Sequence, residues 1–246
     1  MIKPYLSIIN RRTLIAIIIS IITVYTAYAL NRNFNVDLTL ISIAMIFPLV
    51  FTIRGSFRRR EKALEHLSQF RSALKTVHYF ILSSKDLPNE NKIELLDIIL
   101  EISEKVMGHL KSNTYTAKDL DEVINKIYIF TSEKEVSIPK GVRDKVFRFM
   151  NDLHEAIENL HAIHTHRTPI GLKAYCKIFI YIFPLIYSPT IINNIGLETP
   201  QEITYFIVLF TEFILISLYN IQDHLEYPFD DLGLDDIKLD NFKFNR

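Results

Sequence analysis

Tryptophan is absent from this 246-residue chain, and cysteine occurs once, as Cys176 within an apolar run. A single thiol closes no internal disulfide, which excludes a secreted scaffold stapled by disulfides. Neither sign of charge is in excess, because Lys plus Arg and Asp plus Glu number 28 each. No global field therefore recommends nucleic acid or an acidic substrate as a partner. The chain also lacks a Gly-rich phosphate loop, a HExxH pair and a recognisable Ser/His/Asp arrangement. An enzyme is not expected, and no cofactor is implied. What the chain has instead is apolar mass: 49% of its residues are hydrophobic, more than a soluble all-helical domain needs. The reading is of a membrane protein whose twelve tyrosines take the interfacial places usually shared with tryptophan.

Four apolar stretches carry that mass, at residues 13–30, 38–53, 174–192 and 203–219. The first follows Lys3, Arg11 and Arg12 and would be roughly 27 Å long as a helix, enough for a short span. Its positive start and the triplet Ala27-Tyr28-Ala29 also spell a cleavable signal peptide. A second apolar span within ten residues favours a membrane hairpin instead. The second span runs without a loop signal into Arg54, Arg58, Arg59, Arg60 and Lys62. At helical period Ile43, Phe47 and Phe51 stand one above another on a single face, a candidate pore lining. Packing on a neighbouring helix or facing lipid is the plainer reading of such a stripe. Neighbouring registers would bring Met45, Leu49 and Ile53 there instead.

Between the two apolar pairs the chain reads as charged amphipathic helices. Leu64, Leu67, Phe70, Leu74 and Val77 extend the second span as a helix with one buried stripe, which Asp86-Leu87-Pro88 stops. A helix marked by Ile93, Leu96, Ile99, Val106 and Leu110 follows, then one over residues 117–130 capped by Thr116. Residues 142–166 form a last one, with Val146, Met150, Leu153, Ile157 and Leu160 inward. His154, Glu158 and His161 share a face of that helix, in a spacing that does not support a zinc hydrolase. No metal is assigned there.

The last two spans are joined by a link at residues 188–202, and each holds an oddity. Lys177 can snorkel to an interface, whereas Glu212 sits near mid-span, where an acid costs about 2.5 to 3.5 kcal/mol to insert. Glu212 is expected to face protein or water, either paired with a polar group of a neighbouring helix or placed on an ion path. Basic residues gather at one end of all four spans, and the two short links offer only Arg32. Both termini and the amphipathic helices are expected in the cytoplasm of a multi-pass cell-membrane protein. The acidic tail, with spaced apolar residues, reads as an irregular arm seeking a groove on those helices.

Three motifs carry a family resemblance. Residues 51–64, FTIRGSFRRREKAL, place Phe51, Arg54, the pair Ser56 and Phe57, and Arg59 in order. Arg167-Thr168-Pro169-Ile170-Gly171 leads back to the membrane, and Glu226, Pro228 and Phe229 follow the last span ahead of Asp231 and Leu232. In these the chain resembles bestrophin channels, particularly the bacterial members. Departures are Asp230 for the family glycine, Gly171 for a proline, the shortened spacer before Asp231, and the missing tryptophans.

The resemblance implies an all-α membrane protein with four transmembrane helices in two pairs, flanking a cytoplasmic helical bundle. The expected parts are 1–54, 55–167, 168–222 and a C-terminal arm at 223–246. It further implies a homo-pentamer in the lipid bilayer, conducting chloride or another small monovalent ion through an axial pore. In it the neck residues are Ile43, Phe47 and Phe51, and the cytosolic constriction is Ile170. The rival reading is a membrane-anchored interaction or signalling protein whose bundle binds partners.

Overall fold

The computed structural model describes residues 9–112, 114–233 and 235–246, so Lys3 lies outside the described residues. Among the described residues seven α-helices follow in order: α1 Arg11–Ala29, α2 Leu38–Leu82, α3 Asn89–Ser112, α4 Ala117–Glu133, α5 Lys140–Thr165, α6 Ile170–Ile195 and α7 Gln201–Glu226. A short 3-10 turn, Leu239–Phe242, lies in the tail, and no strand occurs among the described residues. Four helical stretches are long and apolar enough to cross a membrane: α1, α2, α7, and the stretch Lys140–Ile195, whose apolar part is α6. The chain divides into two compact units, Met1–Arg58 with Thr168–Glu226, and Arg59–Arg167 with Tyr227–Arg246.

In the first unit α1 begins where Asn10 accepts from the backbone N–H groups of Arg12 and Thr13 while Thr13 returns the bond. Apart from Val24, its buried stripe is small or hydroxylated, with Thr13, Ala16, Ser20, Thr23 and Ala27, so that α6 and α7 approach closely. Pro48 sits inside α2 and has no N–H for the carbonyl of Ala44. The Tyr175 hydroxyl of α6 donates to that carbonyl at 3.0 Å, repairing the missing bond with a side chain. Met45 and Leu49 of α2 pack with Ala16, Cys176, Ile180 and Ile216.

The link after α6 is shorter than the sequence indicates. The helix continues through Pro184 and Pro189 to Ile195 and stops at Gly196, whose φ of +86° suits a residue without a Cβ. Both prolines are buried within the first unit, where tertiary packing outweighs the propensity cost that marks such residues as loop formers.

The second unit is a water-style bundle. Leu67, Phe70 and Leu74 of α2, Ile99 of α3, Ile127 of α4 and Leu153 of α5 share one apolar core. Thr116 caps α4 through a reciprocal bond with Asp119, and Gly108 leaves room for the ring of Tyr115, which a Cβ would meet at 2.9 Å. The acidic tail is a docked arm: Phe229, Ile237 and Phe244 enter that same core. Its backbone is held by side chains of the helices. The Phe244 N–H donates to Ser103 Oγ at 3.0 Å, and Arg71 Nε and Arg60 Nε donate to the carbonyls of Lys243 and Asp235.

Candidate functional site

The side chains of α2 sort cleanly by face. Met45 and Leu49 are buried, Leu49 to 1% exposure, whereas Ile43, Phe47 and Phe51 lie open, with Phe47 at 55% and Phe51 at 60%. The two phenyl rings follow one another along the helix, tilted by 39° with centroids 6.1 Å apart. The three thus form one uncovered apolar ridge, and the neighbouring register through Met45 and Leu49 is spent on the core. Ile170 is the first residue of α6 and is 85% exposed, directly after Pro169, which takes the N-cap position.

A polar clasp holds this entry to α6. Glu226, at the last turn of α7, is buried and accepts from the Thr168 backbone N–H at 2.9 Å and from Gln222 Nε2 at 3.0 Å. Lys173 bridges Glu226 at 2.7 Å and Asp223 at 2.8 Å, and Arg12 of α1 reaches Asp223 at 2.6 Å. Gln222 also donates to Ser56 Oγ of α2 at 3.2 Å. Four helices thus meet at one network of charge-assisted bonds two residues from Ile170. Ser56 and Glu226 are visible in the motifs and Lys173 in the basic residues at the span ends, whereas Gln222 and Asp223 are marked by neither. Their signal was the spacing of polar residues at 222, 223 and 226 on the end of an otherwise apolar helix.

Glu212 is buried to 1% exposure, and neither carboxyl oxygen has a hydrogen-bond partner among the described residues. Lys177 is exposed on α6. Among the described residues no three His, Cys, Asp or Glu side chains are placed to hold a metal. His161 turns instead to His109 of α3, which sequence reasoning passed over. The His109 Nδ1 lies 2.6 Å from the Tyr115 carbonyl, which only accepts. In the neutral ring the proton therefore sits on Nδ1, and Nε2 accepts from the Nδ1–H of His161 at 2.9 Å. His164 stands edge-on to His109 and beside Phe229 of the tail. Burial, then the charges of His109, Arg167 and His161, push it down to about 4.

No family model matches the sequence, and no curated protein sequence does. Solved structures do match in fold. A bestrophin homologue from Klebsiella pneumoniae, phased on zinc, aligns at TM-score 0.77 and 15% identity over 94% of this chain and 93% of that one. A single-substitution variant of the Klebsiella homologue aligns at 0.75 and 15%, with the same coverage of each chain. A structure described only as a membrane protein with a serine-to-alanine substitution aligns at 0.77 and 14% over 94% of this chain and 92% of that one. Over nearly its whole length, then, the chain has the fold of the bacterial bestrophin homologues, at a sequence identity of 15%.

Proposed function

We propose that this protein is one subunit of a bestrophin-like homo-pentameric channel in the cell membrane. It conducts chloride or another small monovalent ion along its axis and performs no catalysis. The observation that carries the reading is the uncovered ridge of Ile43, Phe47 and Phe51 on a membrane-length helix whose opposite face is packed. Repeated by rotational symmetry, such a ridge becomes an apolar collar that gates by losing its water. Ile170 forms a second, separate constriction on the cytosolic side, and the clasp around Glu226 holds the backbone that presents it. Both termini and the unit built from α3, α4 and α5 lie in the cytoplasm, where the basic residues gather.

Planar-bilayer currents from the purified protein, with the mass of the detergent-solubilised complex, test this. Five copies and ion currents are expected; one or two copies without current would leave a membrane-anchored interaction protein. In the assembled channel, Phe47→Ala with Phe51→Ala should raise flux by widening and wetting the collar. Unchanged flux would make the ridge a packing or lipid surface. Ile170→Ala should flatten the permeability series among large and small ions while leaving the sign of selectivity. An unaltered series would take Ile170 out of the pore.

A further inference from the structure

We propose that Glu212 is a proton-binding site in the seam between α1 and α7, held there as the neutral carboxylic acid. The seam's register comes from two bonds. Asn220 Nδ2 donates to Thr13 Oγ1 at 3.0 Å near one end, and the Tyr28 and Thr204 hydroxyls meet at 2.8 Å near the other. Antiparallel packing between those pins sets Glu212 level with Ser20, deep in the span. Ser20 is itself fully buried, and its hydroxyl donates to the Ala16 carbonyl within its own helix. Thr23, one turn further, likewise donates to the Ile19 carbonyl.

Among the described residues no cation bonds the Glu212 carboxyl. Among the described residues, the charged groups on α1, α6 and α7 are Arg11 and Arg12, Lys173 and Lys177, and Glu202, Asp223, His224 and Glu226, whereas the ionisable groups nearer Glu212 are the phenols Tyr181, which couples to it electrostatically, and Tyr187, which bonds the neighbouring Thr211. α2 adds the apolar Met45 and Leu49 to the adjoining core. Arg12 and Lys173 are bound to Asp223 and Glu226, and Asp223 lies about 16 Å further along α7. A carboxylate at 1% exposure without a cation or donors to share its charge is the costly state of this group. A bound proton removes that charge and leaves a group the size of glutamine. Because the acid belongs to a seam inside one subunit, the inference stands apart from ion conduction.

A neutral acid in apolar surroundings reacts with a lipid-soluble carbodiimide. The acid O–H adds across one C=N bond, so that the carboxyl oxygen bonds the central carbon and the proton passes to nitrogen. Acyl migration to nitrogen then gives a stable N-acylurea with no leaving group. The full-length protein, purified in detergent, is treated with dicyclohexylcarbodiimide and mapped by peptide mass, and its infrared spectrum is recorded at mildly alkaline pH. The expected result is one adduct on the peptide holding Glu212, none from a water-soluble carbodiimide, and a carboxylic-acid C=O band; adduct and band are both lost in Glu212→Gln. Absence of that band from the wild-type protein would overturn the proposal, whether or not Glu212→Gln folds. Loss of the adduct when sodium replaces a bulky organic cation would also overturn it, by making the seam a metal-cation site.

Discussion

The two units solve the same packing problem in opposite senses. The unit of α3, α4, α5 and the tail gathers most of its apolar side chains into one shared core, as burial from water favours. The unit of α1, α6 and α7 exposes Leu14, Ile18, Tyr25, Phe206 and Phe210 and buries Thr13, Ser20, Thr204, Asn220 and Gln222. In hydrocarbon, apolar contact between helices gains little over contact with lipid, so small residues and interhelical bonds hold them instead. α2 supplies both senses in turn: bare apolar ridge over its first half, buried leucine stripe over its second. The difference teaches that polarity of the interior, more than its volume, records the solvent each unit was built for.

Substitutions that remove one kind of glue should therefore loosen one unit and spare the other, read peptide by peptide with hydrogen exchange. The largest effect is expected from Phe70→Ala, which opens a cavity in the apolar core and costs about 3 to 5 kcal/mol. Protection should fall in α2 through α5 and hold in α7. Lys173→Met, which strands the buried Glu226, should do the reverse at about 3 kcal/mol, and adding Asp223→Asn with Glu226→Leu should recover most of it. Equal loosening of both units by either change would erase the distinction.

A pH effect of intermediate size belongs to the second unit. The proton that His164 takes up at ordinary values in the unfolded chain, 6.5, is refused in the fold until about 4. Stability from His164 is thus complete above the ordinary value and is lost as pH falls through that window, by roughly 1 to 2 kcal/mol after allowing for solvent screening. Asp236 runs the opposite way: burial, then Asp230, raises it from 3.8 to about 6. Its contribution is full at low pH and is lost as pH rises through about 6. Unfolding measured against pH should steepen in Asp236→Asn and flatten in His164→Phe. The smallest effect, about 1 kcal/mol, is expected from Thr116→Ala, which frees the first turn of α4 and should fray that helix alone.

Helices, their caps and the four apolar stretches were legible in the linear chain because each depends on neighbours within about four residues. Thr116 before residues 117–130, the leucine stripe after Leu64 and the break at Pro169 are such features. The stacking of Ile43, Phe47 and Phe51 was legible for the same reason, but which face of α2 lies bare was not. Only the packing of Met45 and Leu49 against α1 and α6 decided that. Pro189 misled in the other direction, since it fell in the link read from residue 188, whereas the helix that contains it is sustained by surroundings the sequence does not display. The clasp of Arg12, Lys173, Asp223 and Glu226 joins residues up to 211 positions apart, and the pair His109 and His161 joins two helices 52 positions apart. Local pattern fixes which residues are helical and which faces are apolar. Partners so distant in sequence are chosen by how whole helices dock, and only the tertiary structure contains that choice.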